Sequence, residues 1–351
     1  MENIFSTALL SWYKLNKREL PWRETKDPYR IWVSEIILQQ TRVAQGFDYY
    51  HRFLEAFPTV ERLAEASEDD VMKVWQGLGY YSRARHMHEA AKSIVERGSF
   101  PVTYKDVKAL SGVGPYTAAA ICSFAYDEPR AVVDGNVYRV LARWAGIDTP
   151  IDSTEGTKLF AELAQELMDE RHPALYNQAI MDFGATQCTP DSPRCDTCPL
   201  MDSCLALAQK AVKELPVKQH KTKVKNRYFN YIYVRAGEFT YLHRRVDDDI
   251  WKNLYELPLV ETDCVWSEEA LFDHELVKQW RKRKKQVTFR KVGETLKHQL
   301  THRLIITNFY ELILPEPIDP PKGYLRTSEC DLKHYPISQL TNIFLRKQNL
   351  L

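Results

Sequence analysis

Leu110-Ser-Gly-Val-Gly-Pro-Tyr-Thr-Ala118 sets Gly112 and Gly114 one residue apart between two helical stretches. With no side chains there, the turn is tight and its amides, at the positive end of the following helix, can approach an anion closely. A bare G-x-G is more often a plain helix–helix turn, so its meaning depends on the rest of the chain. About twenty residues on comes Val132-Val-Asp-Gly-Asn136, and then Cys188, Cys195, Cys198 and Cys204 in a C-x6-C-x2-C-x5-C run. Four thiolates so spaced suit one tetrahedral zinc or one iron–sulfur cluster, and spacing alone does not separate them. Structural disulfides are the competing explanation. An odd total of seven cysteines and a start at Met1-Glu2-Asn3 without a basic-then-apolar leader point instead to a reducing cytoplasm.

The 351 residues, 44% of them hydrophobic, allow two or three domains with real cores. No run of eighteen apolar residues occurs, so no membrane span is expected. Net charge is only +1, but the bases are clustered. Up to about residue 210 the periodicity is helical, over 29–45, 71–75, 83–95, 117–124, 137–145, 157–167 and 176–183. Residues 211–226 are lysine-rich and weakly apolar, which predicts a solvated linker. From 227 to 351 aromatic and β-branched runs at 228–234 and 304–310 predict strands, with one helix at 268–278, in a smaller α/β module.

In order along the chain, Leu20-Pro-Trp-Arg23, Ser34-Glu-Ile-Ile-Leu-Gln-Gln-Thr41, Gly77-Leu-Gly-Tyr-Tyr81, the glycine hairpin, Val133-Asp-Gly-Asn-Val137, Asn177-Gln-Ala-Ile-Met-Asp-Phe-Gly-Ala185 and the four cysteines cover residues 5–208. Together they resemble the helix-hairpin-helix DNA glycosylases that carry a four-iron cluster, and within them the MutY-type adenine glycosylases. The resemblance implies an all-α glycosylase domain over 1–210, one [4Fe-4S] cluster on the four cysteines, and excision of adenine opposite 8-oxoguanine from double-stranded DNA. It implies a monomer associated with the nucleoid.

Breaking the bond between adenine and deoxyribose needs a protonated leaving group and stabilisation of the cation left on the sugar. Glu35 lies in the apolar stretch 29–38, sharing a helical face with Trp32 and Gln39, where desolvation would keep its proton near neutral pH. A water-facing glutamate on an amphipathic helix is the bland alternative; the flanking motif favours the acid. Asp134 precedes a helix starting near Asn136 and reads first as an N-cap. The resemblance adds that its carboxylate stabilises the sugar cation, with Asn136 orienting it. Tyr116 stands where lyase-competent relatives carry a Schiff-base lysine, so weak or absent strand cleavage is expected, with the phenol assisting Asp134. By the same resemblance, Gln40 and Tyr80 fill the gap in the base stack, Trp22, Arg23 and Asp182 line the adenine pocket, and Gly112 and Gly114 contact DNA.

Tyr241-Leu-His-Arg-Arg245, Trp251-Lys-Asn-Leu-Tyr-Glu-Leu-Pro258 and Lys297-His-Gln-Leu-Thr-His-Arg303 resemble the Nudix-like C-terminal domain of the same enzymes. The hydrolase's magnesium-binding signature is missing. Leu300-Thr-His302 replaces the family's Phe-Ser-His-like lesion-reading element, which assigns Thr301 and His302 to 8-oxoguanine. The basic run 281–285 is either a phosphate contact or a solvated helix end. A glycosylase for damaged pyrimidines and a non-catalytic lesion sensor are the rival functions; Tyr116 argues against the first and the Glu35–Asp134 pair against the second.

Overall fold

A computed structural model describes residues 4–220, 223–281 and 287–351, and the chain divides into two compact units. The first comprises residues 1–65 and 86–221, the second residues 66–85 and 222–351. Residues 66–85 thus join the C-terminal module rather than the helical domain expected to span 1–210.

The first unit begins with α1 (Ile4–Asn16), α2 (Pro28–Ile37), α3 (Val43–Ala56) and α4 (Val60–Glu65). After α5 (Glu68–Val74) in the second unit, α6 (Ser82–Arg97) carries the chain back across the division. It then continues through α7 (Tyr104–Lys108), α8 (Pro115–Tyr126), α9 (Gly135–Ala145), α10 (Thr154–Glu166), α11 (Pro173–Thr186) and the short α12 (Leu205–Ala208). Pro28 at the first turn and the Asp27 carboxylate on the Tyr29 amide start α2. Eight of its ten residues are buried, so α2 has no water-facing stripe and Glu35 has no exposed side to turn to. It packs on α3 and α8, and Gly46 lets α3 come close, since a Cβ there would sit 2.7 Å from Leu38.

Where one helix was expected over 29–45, the chain stops at Ile37, turns through residues 38–42 and restarts at Val43. The break falls at Gln40, whose φ of 54° no glycine or proline announces. α1 went unread altogether. The predicted linker is docked onto the helical unit as far as His220: Leu215 is buried, its carbonyl accepts from Arg143, Ile151 donates to Val217, and Asp152 accepts from the amides of Gln219 and His220.

In the second unit β1 (Lys225–Ala236), β2 (Phe239–Arg244), β3 (Tyr255–Glu256), β4 (Leu259–Thr262), β5 (Thr288–Gln299), β6 (Arg303–Ile313) and β7 (Tyr324–Ser328) form one mixed sheet of order β3-β2-β1-β6-β5. β4 pairs with β1, β7 with β2, and β1 runs parallel to β6. The period of two in β1 decides the layers. Phe229, Tyr231 and Tyr233 face Leu340, Phe344 and Leu345 of α15 (Gln339–Lys347). Ile232, Val234 and Ala236 belong to the opposite core with Leu271, Val277 and Trp280, from α13 (Glu268–Phe272) and α14 (Glu275–Arg281). The single helix expected at 268–278 is these two, because the His274 ring caps the Leu276 amide and starts α14 afresh. Arg281 pairs with Asp273, and the rest of the basic run, 282–285, lies outside the described residues.

α5 is held in this unit by its polar side chains. Asn253 donates to Glu68, Tyr255 to Asp69, and Lys73 to the Tyr335 carbonyl, while Arg244 faces both Glu68 and Asp69. No helix among the described residues is long and apolar enough to cross a membrane.

Candidate active site

One cleft of about 740 Å³ in the helical unit gathers Trp22, Arg23, Glu35, Gln40, Gly112, Gly114, Tyr116, Asp134 and Asn136. Glu35 is 6% exposed, and the Tyr116 hydroxyl donates to its Oε2 at 2.9 Å. Burial pushes its carboxyl up to about 7, against the opposing pull of the Tyr116 hydrogen bond and the Arg23 charge. Tyr116 is itself held well above its ordinary value by burial and by Glu35, so it stays a phenol. Its one proton serves Glu35 Oε2, which leaves the other carboxyl oxygen as the place for an acidic proton.

Asp134 is the N-cap of α9, as its position before Asn136 predicted. Oδ1 accepts the amides of Asn136 and Val137 at 2.9 and 2.8 Å, and Oδ2 accepts the Asn136 side-chain amide at 2.9 Å. Burial holds its carboxyl above the usual carboxylate range, against these three donors, which favour the anion. Asn136 is fixed in turn by Arg139, which donates to Asn136 Oδ1 at 2.8 Å, to the Cys188 carbonyl at 2.7 Å and to the Gly184 carbonyl. Gly184 permits that approach, since a Cβ there would lie 2.6 Å from Asn136 Cβ.

Asp182 departs from its expected place. It is fully buried and absent from the cleft wall, and its two oxygens are taken by Arg23 (2.7 Å to each) and by Arg18. These two cations hold its carboxyl below the usual range despite its burial. The residues that do reach the cleft from α11 are Gln178, one helical turn before Asp182, with Met181 and Ala185, and Arg18 joins them. Gln178 belongs to a motif of the sequence that assigned it no role; a spacing of four puts both residues on one face, and only packing decides which is covered. Trp22 stands edge-on to Tyr50 at 5.2 Å.

Gly112 takes φ of 72° with His86 where a Cβ would be, and Gly114 caps α8 with open space around it. Tyr80, like Gln40, holds a left-handed backbone, φ 48°, and is 46% exposed. With Thr301 and His302 it lines a separate cleft of about 680 Å³ in the second unit, and its hydroxyl meets that of Thr301 at 2.6 Å.

Cys188, Cys195, Cys198 and Cys204 line one small cavity with Arg143, Leu207 and Val212. Arg143 Nη1 lies 3.5 Å from Cys188 Sγ. Burial, and after it the neighbouring thiols, push Cys198 up to about 11. Among the described residues no three His, Cys, Asp or Glu side chains converge as for a single ion. Four sulfurs around an apolar cavity with a guanidinium beside them suit a thiolate-ligated cluster of net negative charge.

Residues 33–168 match the HhH-GPD superfamily of base excision DNA repair proteins, the class that the hairpin, the helical unit and the carboxylate cleft define. Among solved structures, a thermostable thymine-DNA glycosylase matches with TM-score 0.55 and 29% identity, over 59% of this chain and 96% of that one. An endonuclease III trapped on DNA matches with TM-score 0.52 over 58% and 94%; at 19% identity it speaks for the fold alone. The adenine DNA glycosylase of Buchnera aphidicola subsp. Schizaphis graminum is 34% identical over 262 residues, 74% of this chain and 76% of that protein. That of Rattus norvegicus is 45% identical over 213 residues, 58% of this chain and 41% of the longer rat protein. The chain belongs to the adenine DNA glycosylase family, enzymes of base excision repair.

Proposed function

We propose that this chain releases adenine paired with 8-oxoguanine, and with lower preference guanine, from double-stranded DNA by hydrolysis of the N-glycosidic bond. The observation that carries the reading is a buried Glu35, its carboxyl pushed up to about 7 by that burial, in one cleft with Asp134, whose carboxylate accepts three hydrogen bonds. Adenine swung out of the stack into this cleft receives the Glu35 proton as its bond to the sugar breaks. Asp134, facing the sugar, stabilises the cation until water adds. Tyr116, unable to form a Schiff base, supports a glycosylase with little or no strand cleavage. Trp22, Arg23 and Gln178 contact the base, while Gln40 and Tyr80 occupy the vacated stack.

Cys188, Cys195, Cys198 and Cys204 would hold one [4Fe-4S] cluster, whose contribution is to brace the loop that succeeds α11. The second unit, read as Nudix-like, would recognise 8-oxoguanine through Thr301 and His302. The enzyme acts as a monomer on DNA. Single-turnover release from an 8-oxoguanine·adenine duplex and a matched guanine·adenine duplex tests this. Fast release from the first and slower release from the second is expected, and no release from either would refute the assignment.

A further inference from the structure

Behind the cleft wall a chain of hydrogen bonds has a direction fixed by chemistry. A guanidinium carries only donors, so where Arg23 Nη1 lies 3.3 Å from the Tyr13 hydroxyl, the tyrosine oxygen accepts. The Tyr13 proton is then directed to Gln178 Oε1, 3.1 Å away. Tyr13 is 3% exposed and its burial keeps it a phenol, so this donor is permanent. Asp182 anchors the far end by gripping the Arg23 fork. A carboxamide has two ends of nearly equal shape, and its network decides which way it points. Here the oxygen is engaged by Tyr13, and the Nε2 donors are the end of Gln178 that no other group among the described residues claims.

We propose that Tyr13 is a specificity-determining positioning residue: it locks the Gln178 amide so that N–H donors, not the carbonyl, are offered to the base in the cleft. This rests on the base-releasing reading above. Such a donor selects a purine whose ring nitrogen carries a lone pair and rejects one whose ring nitrogen carries a hydrogen. N3 and N7 carry lone pairs in both bases, so the discrimination requires the N1 edge to be turned to Gln178, where adenine has the lone pair and hypoxanthine has N–H. A donor facing a donor leaves both unpaired in a desolvated site, which is how a polar pocket discriminates. Tyr13 is not among the residues lining the cleft, so it acts through the orientation of Gln178.

The test compares adenine with hypoxanthine, each opposite 8-oxoguanine, for single-turnover release and for affinity toward the uncleavable 2′-fluoro duplexes. It uses the full-length protein, Tyr13→Phe, Gln178→Met and the double variant. Tyr13→Phe frees the amide to turn, and the adenine-over-hypoxanthine ratio is expected to fall about tenfold, the size of one hydrogen bond. In the Gln178→Met background Tyr13→Phe should shift the ratio no further. A ratio that Tyr13→Phe leaves unchanged, an equal slowing of both bases, or a shift that persists in the Gln178→Met background overturns the proposal. Should Tyr13→Phe not fold, Gln178→Met alone must lower the ratio as much. A parent protein that releases neither base refutes the functional reading, whereas an active parent with an insensitive ratio refutes the Tyr13 assignment alone.

Discussion

Glu35 is a carboxyl that the fold makes easier to bury as an acid than as an anion, with two consequences at this one side chain. A general acid must carry its proton, and with titration near 7 the release rate should decline as pH rises through that value. Tyr116→Phe removes a hydrogen bond that lowers the Glu35 proton affinity, so the declining limb should move to higher pH; a single-turnover pH profile reads the shift. Glu35→Gln should slow release about 10³-fold while binding to a 2′-fluoro duplex persists. The same substitution separates chemistry from stability. Because the folded value lies above the ordinary 4.5, Glu35 supports the fold fully below that pH and loses this support as pH rises through 7. Glutamine does not titrate. The stability of Glu35→Gln relative to the parent should therefore improve between pH 5 and pH 8, by up to about 3 kcal/mol, in paired denaturant titrations.

Within single elements, legibility tracked the range of the interaction. Asp134 was readable as a cap because capping involves amides two and three residues away, and the hairpin was readable because Gly112 needs a positive φ. Glu35 was readable as buried because apolar residues surround it on all sides of α2. What α11 presents to the cleft was not, since Gln178 and Asp182 share a face and only Arg18 and Arg23, about 160 residues earlier, choose between them. The turn at Gln40 was equally hidden, for want of glycine or proline. Arg139 and Gly184 were missed because the contacts that join α9 to α11 and the loop beyond it, Arg139 to the carbonyls of Gly184 and Cys188, span 45 and 49 residues. Gly184→Ala tests that contact. A methyl directed at Asn136 should push α11 away from α9, costing about 1–3 kcal/mol. Release should slow as Asn136 and Asp134 move together, and the thermal midpoint and the release rate check both parts.

At the scale of the whole chain, the sequence placed a boundary near 211–226 but could not place residues 66–85, whose partners lie between 244 and 337. This makes the C-terminal unit discontinuous, so a cut after residue 221 is not a clean separation of domains. In a fragment ending there, Glu68, Asp69 and Lys73 lose the groups that hold them. Amide exchange over residues 68–85 is expected to speed at least about tenfold relative to the full chain, read by mass spectrometry. Protection equal to that of the full chain would mean that α5 is held from elsewhere.

The discontinuity also has a meaning in time. On the ribosome α5 emerges early, while the Tyr335 carbonyl that receives Lys73 is made some 262 residues later. At about 5–20 residues per second, that leaves the segment waiting on the order of 10–50 s with Glu68, Asp69 and Lys73 short of the groups that hold them in the finished fold. The nascent protein therefore carries a charged segment whose fixed partners are still unmade, and slower translation between residues 73 and 335 would lengthen that interval.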